Sequence, residues 1–269
     1  MNNSTGILLR LSVLVITCSL TAPAFSVRQS GSLTPAQSAL EKQRQRLSAT
    51  DPEERRDALM QLWAMHRAEA SRVAMVGLTD SSPMVRAVAA KAILALGPEE
   101  SVAVLTPLLG DKDEFVRKEV AYALGQTKSR NATAALAQLL LNDKKDGVRA
   151  AAAVSLGEVG DETAVVTLAN VLSGDDNGSA KKKSKGERNT FVLRAVARSL
   201  GQIKSRAAVP ALITVLTNEK FDDDIRREAA RSLGMIGDPA AVPALRAAAT
   251  SADPYLAQAA FESLRKLNP

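Results

Sequence analysis

One phrase keeps returning along this chain: a branched apolar residue, Arg, two variable positions, two small residues and, a little further on, Leu-Gly. It runs from Val116-Arg117 to Leu124-Gly125, from Val148-Arg149 to Leu156-Gly157, and from Ile225-Arg226 to Leu233-Gly234, with a looser copy from Val85-Arg86 to Ile93. Self-similarity at a period near thirty residues constrains the fold more than any composition figure. Units that short cannot bury a core alone, so they stack, each touching only its neighbours. The expected architecture is all-α: an α-α superhelix, or solenoid, of about six to seven helical hairpins.

With the Arg position as anchor, copies fall at Arg56, Arg86, Arg117, Arg149, Leu193, Arg226 and Ala257, in steps of 30, 31, 32, 44, 33 and 31. The long step contains the polar, glycine-punctuated segment 175–189, with Lys181, Lys182, Lys183, Lys185 and Arg188. Such a stretch is expected to be a loop insertion between repeats.

Within each unit two helices are expected. The first carries an apolar stripe such as Val116, Val120, Ala121 and Leu124, and Gly125 is expected to end it. The second carries Val102, Leu105, Leu108 and Leu109, matched by Val165, Leu168, Val171 and Leu172. Asp80 and Arg86, Asp111 and Arg117, and Asp143 and Arg149 share a spacing of six. That spacing predicts a charged ladder tying neighbouring repeats, with each Asp capping a helix.

The ends differ from the middle. Arg10 precedes an uncharged stretch from Leu11 to Leu20, followed by Thr21-Ala22-Pro23-Ala24. A basic residue, a short apolar run and an A-x-A site describe a secretory signal peptide, assigned to residues 1–24. The apolar run is too short for a stable membrane span. Residues 25–50 are expected to form a linker and an N-terminal capping helix opened by Thr34-Pro35, and residues 51–269 the solenoid. The chain has 35 Lys and Arg against 29 Asp and Glu, a formal charge of +6, which falls by one when Arg10 leaves with the leader. Its one cysteine, Cys18, leaves as well, so no disulfide is expected in the mature protein.

The pattern D-x-x-x-x-[VI]-R-x-x-A-A-x-x-L-G, followed by G-D-x-x-A-V-P-A-L as in Gly237 to Leu245, resembles HEAT repeats. It looks most like the subclass named after the phycobilisome (PBS) lyases, in an exported form, over about Asp51 to Leu267. The resemblance implies a solenoid and leaves the activity open, since that subclass includes bilin lyase subunits and an iron-dependent hydroxylase. The end copies degrade, with Trp63 where Leu is expected and Phe261 where Ala is expected, as terminal units do.

Chemistry is sparse. His66 is the sole histidine, whereas the hydroxylase relatives hold iron through repeated His-Glu pairs. Neither a Gly-x-Ser-x-Gly elbow nor a phosphate-binding glycine loop is present. The expectation is therefore a chain that is not an enzyme, with no catalytic residue, metal or cofactor. A protein or peptide partner is expected on the second helices, taken as the concave face, at Thr106, Gln138, Leu139, Asn170, Ile213, Thr214 and Arg246. The Lys-rich loop offers a further docking point for an acidic partner or anionic surface. Nucleic acid is disfavoured, because few aromatics are available to stack on bases and the basic clusters are split between two edges. The expected role is a non-catalytic interaction scaffold outside the cytoplasm, periplasmic or secreted. Two alternatives are a bilin-lyase-like or hydroxylase-like enzyme subunit and a binder of anionic lipid or polysaccharide.

Overall fold

The computed structural model describes residues 33–174 and 189–267. Among them, fourteen α-helices and no strand occur. The helices form two rows. The arginine row is α2 (Pro52–Ala64), α4 (Pro83–Ala92), α6 (Glu114–Gln126), α8 (Asp146–Val159), α10 (Thr190–Ile203), α12 (Asp223–Ile236) and α14 (Pro254–Leu267). The other row is α1 (Pro35–Arg46), α3 (Ala68–Ala74), α5 (Pro98–Leu105), α7 (Thr133–Asn142), α9 (Ala164–Ser173), α11 (Val209–Thr217) and α13 (Val242–Ala248). Taken in pairs from α1, these make seven hairpins sharing one continuous core.

Local chemistry sets the helix ends. Thr34 and Gln37 cap α1 reciprocally, Asp51 and Asp113 accept from backbone N–H groups two residues on, and Pro35, Pro52, Pro83 and Pro254 open helices where no donor is needed. After α5 the chain tightens into a 3-10 turn, Thr106–Gly110, at Pro107, which has no N–H for the α ladder. Asn189, taken above as the last residue of the insertion, is the N-cap of α10 and accepts from the Val192 N–H. The remainder of the insertion, the segment assigned as signal peptide and nearly all of the linker lie outside the described residues.

Two assignments need correction. Gly125 does not end its helix: α6 continues to Gln126, and the left-handed residue is Lys128, at φ 53°. The same place, eleven residues after the ladder position, has positive φ in His66, Gly97, Lys128, Gly160, Lys204 and Gly237. The Leu-Gly glycine is needed for packing instead. A Cβ on Gly125 would lie 2.9 Å from Ser155 Cα, on Gly201 2.8 Å from Ser232 Cα, and on Gly234 2.9 Å from Ser263 Cα. Each glycine thus lets the next arginine-row helix come almost to backbone contact.

The register of the first repeat is the second correction. Arg55, not Arg56, holds the ladder position. Leu62 then fills the buried leucine place, and Trp63 falls at the glycine place, about half exposed. The two adjacent arginines made the sequence ambiguous there.

Candidate functional site

The edge formed by the hairpin turns is built on arginine–aspartate pairs. Arg55 reaches Asp80, Arg86 reaches Asp111, Arg117 reaches Asp143 and Arg227 reaches Asp253, at 2.7–2.8 Å. The partner is therefore the Asp of the following repeat, about 25 residues on, not the Asp six residues earlier. That earlier residue is used through its backbone: Arg86 Nη1 donates to the Asp80 carbonyl and Arg117 Nη1 to the Asp111 carbonyl, at 2.8 and 2.9 Å. Each Asp also accepts from a backbone N–H two residues later, as Asp111 does from Asp113. The hydrogen bonds from Arg55 hold the Asp80 carboxyl below the usual carboxylate range. Burial alone would raise Asp111 and Asp143, but their arginines and backbone donors outweigh it and the net direction is downward.

Arg149 and Arg226 depart from this pattern. Each turns back to a carbonyl of the preceding helix, Leu140 and Leu216 respectively, and to the acid three residues before it.

Against this edge lies a shallow, open cleft of about 600 Å³ between the 3-10 turn after α5 and helix α7. Its lining includes Thr106, Leu109, Ala135, Gln138, Leu139 and Asn142, and the Arg117–Asp143 pair closes one end. The structure thus brings three of the expected binding residues together: Thr106, Gln138 and Leu139. Gln138 is exposed and accepts from Asn142 Nδ2. The Thr106 hydroxyl donates to the Val102 carbonyl at 2.7 Å. Leu139 is only 8% exposed and belongs mainly to the core. Asn170, Thr214 and Arg246 are exposed on α9, α11 and α13, Ile213 is half-buried, and none of the four lines this cleft. A second cleft, about 530 Å³, repeats the arrangement between α11 and α13 with Leu216, Thr217, Ala244 and Ala247.

Arginine-row helices come close to backbone contact at Gly125, Gly201 and Gly234, whereas open grooves lie along the α5-to-α13 row that carries Thr106, Gln138, Leu139, Asn170, Ile213, Thr214 and Arg246. Helix periodicity showed which residues face the core but carried no information on which row is tighter. The recurring Gly and Ser were the available signal.

The basic-loop residues Lys181, Lys182, Lys183, Lys185 and Arg188 lie outside the described residues. His66 sits at the left-handed end of the α2 hairpin, edge-on to Trp63. Among the described residues, no group of three or more His, Cys, Asp or Glu side chains is placed to hold a metal ion. No helix there is long and apolar enough to cross a membrane.

Stacked hairpins with a charged ladder along one edge define an α-solenoid of the repeat class. The chain belongs to the HEAT-repeat family: HEAT repeats match residues 40–124, 108–184 and 185–265. No curated protein matches the sequence. Among solved structures, the chain is similar to human deoxyhypusine hydroxylase in complex with glycerol, at 22% identity, covering 85% of this chain and 84% of that one with a TM-score of 0.43. It is similar to the CpcE and CpcF complex of phycocyanin lyase from Nostoc sp. PCC7120, at 23% identity, 91% and 92% coverage and a TM-score of 0.49. It is also similar to YibA of Escherichia coli, at 16% identity, 89% and 98% coverage and a TM-score of 0.50. At these identities the likeness concerns the fold. The expectation that the chain is not an enzyme is nonetheless corrected, because structures with this fold include a hydroxylase and a lyase complex. Membership of the fold does not separate this chain from enzymes.

Proposed function

We propose that this HEAT-repeat chain is an exported binding scaffold that seats a protein or peptide partner in the cleft between the turn after α5 and helix α7. The cleft itself carries the reading: about 600 Å³, walled by Leu109, Ala135 and Leu139, with Thr106, Gln138 and Asn142 at its mouth. Apolar walls with a few polar groups suit a protruding side chain or a short segment of a partner. The wall also includes ladder residues, so the cleft's shape is tied to the repeat geometry. Export is supported by Arg10, the apolar run Leu11 to Leu20 and Ala22-Pro23-Ala24. The Lys-rich segment adds a basic element that steers an acidic partner toward the scaffold.

The test is affinity capture from the extracytoplasmic fraction of the source organism with the tagged chain, a Gln138→Trp variant that fills the cleft, and a variant lacking residues 178–188. Loss of the captured partner in Gln138→Trp, with retention in the loop deletion, is the expected result. Retention by Gln138→Trp would remove the cleft as the site, and absence of the chain from that fraction would remove export.

A further inference from the structure

The arginine row carries a second surface, independent of the cleft. Arg194 and Arg198 lie four residues apart on one exposed face of α10, about 6 Å along the axis. Arg231 occupies the place on α12 that Arg198 holds on α10, one repeat on. The two helices are drawn together at Gly201, where a Cβ would meet Ser232 Cα at 2.8 Å. These three cations are held differently from the ladder arginines. Arg198 has no ion pair among the described residues, and Arg194 approaches Asp224 only at 3.9 Å, with both side chains about half exposed. Arg231 lies 3.5 Å from Glu228 of its own helix. Val154 and Met235, each half-buried, border the patch, and Gln202 follows Arg198 on the same stripe.

We propose that this patch binds an acidic polypeptide segment in which carboxylates alternate with apolar side chains. Guanidinium groups present paired donors that match a carboxylate, and three of them lie exposed on the packed helices α10 and α12 with weak or no ion-pair partners. Val154 and Met235 give adjoining apolar side chains a place to bury. One exposed aromatic, Phe191, lies three residues before Arg194 on the same helix, and a single ring does not make a platform on which successive nucleic-acid bases would stack.

The experiment is fluorescence anisotropy of the full chain with a fluorescein-labelled peptide of Glu-Glu-Leu repeats. A Gln-Gln-Leu peptide serves as the uncharged counterpart, and unlabelled heparin as a competitor. The variants are R198E/R231E, R198Q/R231Q, and R206E as a control at an exposed arginine elsewhere. The parent and R206E are expected to bind the acidic peptide saturably and in a salt-dependent manner. Both double variants are expected to weaken binding about tenfold or more, and the Gln-Gln-Leu peptide to bind neither parent nor control. Absence of parent binding, or equal binding by R198Q/R231Q, would overturn the proposal. Displacement of the peptide by heparin at equal charge would overturn it in favour of an acidic polysaccharide.

Discussion

Arg86 and Asp111, 25 residues apart, share two hydrogen bonds of 2.8 Å, and both side chains are nearly inaccessible to solvent. The third nitrogen of the same guanidinium, Nη1, donates to the carbonyls of Asp80 and Ser81, at 2.8 and 3.2 Å. One side chain therefore fixes the start of its own helix and the entry turn of the next repeat.

Removing Arg86 leaves Asp111 charged, mostly buried and short of its main donor. Arg86→Ala is expected to destabilise the fold by about 3 kcal/mol, at the low end for a broken buried pair because the backbone N–H of Asp113 still donates to Asp111. Denaturant titration reads this directly. Arg44→Ala, whose partner Glu41 lies on an exposed helix face, is expected to change nothing measurable.

Alanine normally stabilises a helix relative to glycine by about 1 kcal/mol. Gly157→Ala is expected to do the opposite, by about 1–3 kcal/mol, because its Cβ would sit 2.9 Å from Ser199 Cβ in the neighbouring helix. That approach also lets the Ser199 hydroxyl donate to the Ala153 carbonyl at 2.7 Å. Gly147→Ala, in the first turn of the same helix with nothing within 4 Å, is expected to be neutral or mildly stabilising. Opposite signs in one pair of thermal melts check the packing role of the repeated glycine.

Lys128 and Lys204 hold φ of 53° and 59° where other repeats place Gly97, Gly160 and Gly237. Relief of that strain exceeds the added chain entropy, so Lys128→Gly and Lys204→Gly should each stabilise by about 0.5–1 kcal/mol. A fall in melting temperature for both would show that the lysine side chains contribute more than their backbone costs.

Asp80, Asp111, Asp143 and Asp253 are all held below the ordinary carboxylate range, Asp80 and Asp253 mainly by arginine hydrogen bonds and the other two against an opposing burial effect. Depressed carboxyls stabilise the fold fully above the unfolded value, near pH ~4, and that contribution is lost as pH falls through the lower folded values. Melting temperature is thus expected to be insensitive to these groups from neutral pH to about 5 and to drop below about 4. In Arg86→Ala the acid-side drop should be shallower, and an identical slope would contradict the ladder's electrostatic role.

The repeat period, the helical class and the stacked core were legible in the sequence, because spacing near thirty residues and leucines such as Leu124 and Leu156 report burial directly. The ladder was legible as a pattern, but its pairing was not, since a spacing of six between Asp80 and Arg86 conceals the bond from Arg86 to Asp111. The packing role of Gly125 was not legible, because the residue reads as a helix stop until the helix packed against it is known. Gln138 and Thr106 were selected for lying beside core leucines, and the cleft between them exists because their helices are splayed.

The most direct test of the scaffold account places a photo-cross-linking residue at Gln138 in the chain expressed in its source organism, with a second at Val166, which is 67% exposed outside the cleft. The account predicts a discrete adduct from position 138 alone, in the extracytoplasmic fraction. Equal adducts from both positions, or none from 138, would contradict it.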